Sequence, residues 1–139
     1  MVEFERSIFI SCQPENVWNA IADPSNHSKY VKMVDFGEWT SDGPPGVGST
    51  YREVGKFIGR KIKSANEVTE WEPSNQFGYK SVGGKISVVI RYSLEAQNGG
   101  TQLTARGHLG LSKLFKGFVK KQLAGELEAL KKYLESGQR

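Results

Sequence analysis

The sequence predicts an α+β fold: a curved, seven-stranded antiparallel sheet wrapped around one long C-terminal helix, in the order β-α-α-β6-α. Three observations predict it. From Leu111 to about Glu135, apolar residues recur at mostly three- and four-residue steps, the spacing of a helix with one apolar side. From about residue 33 to 109, apolar and polar residues alternate between short turn signals. No second long amphipathic segment precedes the terminal one, so its apolar stripe needs a sheet to cover it.

The terminal helix sets the scale. Leu111, Phe115, Phe118, Val119, Leu123, Leu127, Leu130 and Leu134 fall on one side, and Lys113, Lys116, Lys120, Lys121, Lys131 and Lys132 fall mainly on the other. About 25 residues at 1.5 Å each make a rod of roughly 37 Å, enough to cross a small domain. Its two halves differ. Leu111–Val119, with two phenylalanines around Gly117, reads as a lid, and Leu123–Leu134 reads as a packed anchor.

The remaining elements follow in order. Phe4, Ile8 and Ile10 alternate with polar residues, so residues 2–11 form a half-buried strand, with Arg6 the exception on the apolar parity. Pro14-Glu15 opens a short helix that carries Val17, Trp18 and Ile21 on one side and ends at Asp23-Pro24. Ser25 or Asn26 is the expected cap of a second short helix, reaching Lys29 or Tyr30. Strands are expected at 34–40, 49–58, 61–72 and 76–82, separated by the 41–48 turn, Gly59-Arg60 and Pro73-Ser74-Asn75. Gly83-Gly84 leads into the clearest strand, in which Ile86, Val88, Ile90, Tyr92 and Leu94 share one parity. Asn98-Gly99-Gly100 turns the chain into the last strand, 101–109. Short turns join antiparallel neighbours, and the two short helices let the chain cross to the sheet's far edge.

Length suits one domain over residues 1–139, with no repeat and no linker. The net charge of +4 is expected on the solvated side of the last helix. No zinc-ligand cluster, RNA-binding aromatic motif or helix-turn-helix pattern is present, so nucleic acid is not an expected partner. No apolar run approaches the ~20 residues of a membrane span. Glu3, Glu5 and Arg6 interrupt the N-terminus, which does not read as a signal peptide. The single Cys12 cannot form an internal disulfide and fits a reducing, cytoplasmic setting.

Several stretches together carry a resemblance: Pro14-Glu15-Asn16-Val17-Trp18 with Ile21-Ala22-Asp23-Pro24, Gly46-Val47-Gly48-Ser49, Glu67-Val68 to Trp71-Glu72-Pro73, and Gly99-Gly100-Thr101-Gln102-Leu103-Thr104. In this order and spacing the chain resembles the START-like superfamily, the Bet v 1-like, helix-grip or SRPBCC proteins. It is most similar to the small bacterial branch labelled polyketide cyclase/dehydrase-like. The resemblance spans essentially the whole chain. It implies a helix-grip fold with a cavity between the long helix and the concave sheet. Members bind lipids, sterols, polyketides or plant hormones there. Some are cyclases, and others act as co-chaperones or toxin-like partners.

Strand parity nominates the lining of such a cavity. Val88, Ile90 and Tyr92 come from one strand and Ala105 and Gly107 from the next. Phe77 and Tyr79, and then Tyr51, Glu53 and Phe57, come from the others, and Phe115, Phe118, Val119 and Leu123 close the top. The same residues also serve as ordinary core. Gly107 and Ala105 remove side-chain volume, as an unfilled pocket requires. Glu53 is the sharpest clue, because a carboxylate buried without a partner is costly. It serves equally in an ion pair at the cavity mouth. Glu126 and Gln122 lie near the stripe of the last helix.

His27 has no carboxylate or nucleophile at recognisable spacing and reads as a satisfied or exposed histidine. His108 is expected to be exposed and Cys12 to be a small buried hydrophobe, and the three are too dispersed for a metal site. Trp18, Trp39 and Trp71 read as structural anchors. Gly83-Gly84-Lys85 lacks the strand-to-helix context of a phosphate loop. No catalytic residue, metal or cofactor is expected.

The leading functional expectation is binding of a small hydrophobic ligand, such as a lipid or a polyketide-like molecule, in a mostly greasy internal pocket. The alternative is a cyclase or aromatase in which Glu53, Tyr51, Tyr79 or Tyr92 moves protons. A third is a protein or membrane partner engaged through the lysines of the last helix. The chain is expected to be a monomer or a weak homodimer.

Overall fold

The computed structural model describes residues 2–57, 59–83, 87–110 and 113–137, with the backbone alone at 2, 57, 113–116, 118 and 119. The strands are β1 (Val2–Ile10), β2 (Val34–Trp39), β3 (Thr50–Phe57), β4 (Arg60–Glu72), β5 (Gln76–Ser81), β6 (Ser87–Gln97) and β7 (Gly100–Gly110). They form one sheet in the order β1-β7-β6-β5-β4-β3-β2, with every neighbouring pair antiparallel. Helix α1 (Pro14–Ala22) and a 3-10 helix, Pro24–Lys29, carry the chain from one edge of the sheet to the other, and α2 (Lys113–Glu135) closes the fold.

The cap of the 3-10 helix differs from expectation. Asp23, not Ser25 or Asn26, holds it: its Oδ1 accepts from the Ser25 amide at 3.0 Å and from Ser25 Oγ at 2.8 Å. Proline has a fixed φ suited to the first helical position, so Pro24 takes that position and the residue before it becomes the cap.

Alternation in β6 and β7 sorts the core as expected. Ile90, Leu94, Leu103, Ala105 and Leu109 are buried, whereas Val89 and His108 face out. Arg6 is exposed although it shares the parity of buried Phe4 and Ile10, an arrangement open to an edge strand. In α2, Leu127, Leu130 and Leu134 are buried against the sheet. A polar clamp ties the end of this helix to the first strand. Lys131 Nζ donates to the Phe9 carbonyl at 2.6 Å and pairs with Glu135 at 2.7 Å, while Glu135 Oε2 accepts from the Ser11 amide at 2.8 Å. Hydrogen bonds from Lys131 and the Ser11 amide hold the Glu135 carboxyl below its ordinary range. The expected anchor half of the helix is therefore packed and clamped. The lid half, Leu111–Val119, lies largely outside the described side chains.

Strands β3 and β4 outrun their neighbours. The register of β2 begins opposite Gly55, and that of β5 ends opposite Asn66. Residues 57 and 60–64 therefore pair only within a two-stranded ribbon. At its base the Lys56 amide bonds the Met33 carbonyl at 3.0 Å. A side chain at Gly55 would collide with that carbonyl, so the close approach requires glycine. Gly55→Ala is expected to destabilise the fold by about 1–3 kcal/mol, the usual cost of overpacking. Urea unfolding measures this, and an unchanged midpoint would show that the ribbon's base is free to shift.

Candidate functional site

A cavity of about 80 Å³ lies under α2, between the 3-10 helix and strands β2, β3, β5 and β6. Its apolar wall is Ile21, Val31, Val34 and Phe77, and its polar wall is His27, Glu53, Glu126, Tyr30, Tyr51, Tyr79 and Tyr92. One water needs at least ~10–15 Å³ on this scale, so the space holds several waters or one small ring system.

The centre of the site is a histidine–carboxylate pair. His27 Nε2 sits 2.8 Å from the Ile21 carbonyl. A carbonyl can only accept, so Nε2 carries a proton. Nδ1 is hydrogen-bonded to Glu53 Oε2, and one further proton is shared across that contact. The two side chains are only 12% and 19% exposed. Burial alone would lower the pKa of His27, but the hydrogen bond and charge of Glu53, the Ile21 carbonyl and Glu126 outweigh it and raise the pKa.

The pair forms because the 3-10 helix lies close against β2. Gly37 faces Glu53 across the β2–β3 register. A Cβ at Gly37 would sit 2.6 Å from the Pro24 carbonyl and 3.3 Å from Glu53 Cγ. Glycine there lets the 3-10 helix approach until His27 reaches the carboxylate.

Glu126 enters from α2. Burial, and then the charge of Glu53, raise its pKa to about 7, with His27 opposing. It has no hydrogen-bond partner among the described residues. The tyrosines have pKa values pushed up, first by burial, so they remain protonated donors at physiological pH. Tyr30 donates to the Ala20 carbonyl at 3.4 Å. The hydroxyls of Tyr51, Tyr79 and Tyr92 have no hydrogen-bond partner among the described residues.

Around these groups runs an aromatic belt. Trp39 meets Tyr51 at 5.7 Å and Trp71 at 6.0 Å, Trp71 meets Phe77 at 6.1 Å, Phe77 meets Tyr79 at 6.3 Å, and Tyr79 meets Tyr51 at 6.2 Å, closing a ring. Trp18 packs edge-on to Trp71 at 5.0 Å from the α1 side. The three tryptophans are structural anchors, and their edge-to-face geometry is the favoured one for such pairs.

Of the residues nominated by parity, Tyr51, Glu53, Phe77, Tyr79 and Tyr92 line the cavity. Ile90 and Ala105 are sealed in the core, and Val88 and Leu123 pack against that core rather than facing the cavity. Gly107 opens no pocket. A Cβ there would run into the Val89 carbonyl and Ile90 Cδ1, so the space it frees is already filled by Ile90. Phe57, Phe115, Phe118 and Val119 lie outside the described side chains. Parity missed Ile21, Tyr30 and Val31, which come from a helix and a loop, and Val34 at the start of β2, and it missed the partner of Glu53. The cavity wall is also more polar than expected. Among the described residues no three of His, Cys, Asp and Glu come together as a metal site would need.

The family described as polyketide cyclase / dehydrase and lipid transport matches residues 1–135. Solved structures share the fold. A protein of Thermus thermophilus is 19% identical, with a TM-score of 0.78 over 99% of this chain and 100% of that one. The di-domain ARO/CYC BexL from the BE-7585A biosynthetic pathway is 15% identical, with a TM-score of 0.83 over 97% of this chain and 47% of that one. The Aha1 dimer from Colwellia psychrerythraea is 22% identical, with a TM-score of 0.76 over the whole of both chains. No curated protein sequence matches the chain.

Two outcomes follow from the site's electrostatics and packing. The folded state holds a proton on Glu126 between the ordinary value of 4.5 and about 7. Stability therefore falls as pH rises through that window, by about 3 kcal/mol in all. The raised His27 acts in the same sense: its contribution is full below 6.5 and is lost as pH rises through its higher folded value. Urea unfolding at a series of pH values should show this decline, and Glu126→Gln should flatten it; equal slopes in both proteins would contradict the assignment. Gly37→Val should push the 3-10 helix off β2 and part His27 from Glu53. An imidazole NMR titration would then report a pKa returned toward 6.5.

Proposed function

The chain belongs to the polyketide cyclase / dehydrase and lipid transport family, and we propose that it binds a small, flat, oxygen-bearing hydrophobic molecule of the polyketide kind in the cavity under α2. One observation carries this reading. The hydroxyls of Tyr79 and Tyr92 and the carboxyl of Glu126 converge on the cavity without protein partners among the described residues, inside a largely aromatic wall. A plain acyl chain would strand these groups against hydrocarbon, at about 1–3 kcal/mol each. A phenol or ketone would pair with them while its ring faced Phe77 and its aromatic neighbours. The oxygen pattern of the ligand, more than its greasiness, is then what the site selects.

Calorimetric titration with 2-naphthol, naphthalene and laurate tests this. The naphthol should bind best, and Tyr92→Phe or Glu126→Gln should weaken it about 5–10-fold, the worth of one hydrogen bond. Laurate binding as tightly as naphthol would reject the selectivity, and no binding by any of the three would reject the reading.

A second reading is favoured by Glu126, whose pKa of about 7 suits proton transfer near neutrality. In a cyclase-type reaction Glu126 would take the proton, and tyrosine hydroxyls would stabilise the developing oxyanion. Glu53 is engaged with His27, which favours Glu126 over it as the base. Incubation with a poly-β-ketone thioester, followed by mass spectrometry, separates the two readings. Cyclised product from the parent but not from Glu126→Gln would establish turnover, and unreacted but bound thioester would leave binding alone.

A further inference from the structure

The β3–β4 ribbon is the part of the molecule that the cavity does not explain. Between Val54 and Asn66 the sequence has four cations, Lys56, Arg60, Lys61 and Lys63, and no acid. That surplus equals the net charge of the whole chain, +4. All four side chains are exposed, and none makes an ion pair among the described residues. Lys56 stands directly opposite Lys61 in the register, an arrangement that costs stability. Elsewhere on the same sheet, cationic side chains have carboxylate partners, as in Arg52–Glu38, Arg91–Glu70 and Arg106–Glu5, even though Arg91 stands opposite Arg106 in the register. The ribbon also projects past β2 and β5, so no neighbouring strand supports it, and an isolated two-stranded ribbon is marginal in water. Exposed apolar side chains accompany the cations. Ile62, which shares its face of the ribbon with Arg60 and not with Lys56, Lys61 and Lys63, is 39% exposed, and Val82, whose amide bonds the Ala65 carbonyl at 2.8 Å beside the ribbon, is 49% exposed.

We propose that this ribbon is a peripheral docking element for an anionic lipid surface. A ribbon with cations on both faces and exposed apolar side chains at Ile62 and Val82 meets both layers of such a surface when it enters edge-on, charged headgroups outside and acyl carbon just beneath. A nucleic acid would take the cations but offers nothing to Ile62 and Val82. An anionic bilayer also relieves the Lys56–Lys61 repulsion, which the free protein leaves unanswered. The terminal helix is the lesser candidate. It spreads six lysines and three glutamates over Lys113–Glu135, and Lys131 is already held by Glu135 and the Phe9 carbonyl.

Co-sedimentation of the full chain with phosphatidylcholine vesicles, with and without phosphatidylserine, tests the proposal. The chain should pellet with the phosphatidylserine vesicles at low salt and be released as salt screens the charges. Each cation near an anionic surface is worth roughly a fivefold gain in affinity, so K61E/K63E should weaken binding at least ~25-fold. The control K120E/K121E, on α2, should change it far less. I62S/V82S should leave the salt dependence in place and lower the affinity, which separates insertion from charge alone. Circular dichroism and unchanged naphthol titration would confirm that each variant is folded. Equal binding to both vesicle types, greater sensitivity to K120E/K121E than to K61E/K63E, or tighter binding to duplex DNA than to the anionic vesicles would each overturn the proposal.

Discussion

The hydrogen bond between His27 and Glu53 is the interaction on which the working part of this molecule depends. A histidine and a glutamate taken from water separately would each be expensive; together they share a proton and leave little net charge for the interior to accommodate. The Ile21 carbonyl fixes the other ring nitrogen, so the imidazole joins the end of α1, the 3-10 helix and β3 through one side chain. That junction sets where Tyr30 and Val31 stand over the cavity. It exists because Gly37 gives up its side-chain volume to the Pro24 carbonyl. A missing methyl group on one strand thus decides the protonation chemistry of a residue on another element.

Around this junction runs the aromatic belt. Edge-to-face contacts among Trp18, Trp39, Trp71 and Phe77 lock the rings of the wall in place. Burial beneath α2, and then the charge of Glu53, make the carboxyl of Glu126 reluctant to ionise, so the group sits near its midpoint at neutral pH. A fully greasy wall would leave nothing to orient a ligand, and a fully polar one would fill with water. The mixture present gives a hydrophobic occupant a defined orientation.

The sheet and its helix were legible in the sequence because strands and helices impose periods of two and 3.6 on residue choice. Strand parity carried as far as Tyr51, Glu53, Phe77, Tyr79 and Tyr92, which do meet at the cavity. It went wrong at Gly107, because parity reports which face a residue occupies and not which neighbour fills the vacated volume. Ile90 fills it. The His27–Glu53 pair was invisible for a different reason. The partners lie 26 residues apart, on elements brought together by a crossing of the sheet, and no local pattern encodes that approach. Tyr30 and Val31 escaped notice because loops and a 3-10 helix have no periodicity to read. Glu126 was noticed beside the apolar stripe of its helix, but its neighbours on the sheet were needed to give it a role.

The register of the first strand has a consequence for how the chain comes into being. Along its whole length β1 pairs with β7 alone, from Val2 opposite Leu109 to Ile10 opposite Thr101, and its other side is secured by the clamp at Lys131 and Glu135. During synthesis β1 leaves the ribosome before the other strands of this sheet and is therefore among the last of them to find its place. It waits, with Phe4 and Ile10 uncovered, while the hairpins from β2 to β6 form from local contacts. Closing so long a loop is entropically slow. The polar residues Glu5, Arg6 and Ser7 between those apolar ones keep the waiting strand soluble, a protection the finished fold no longer needs.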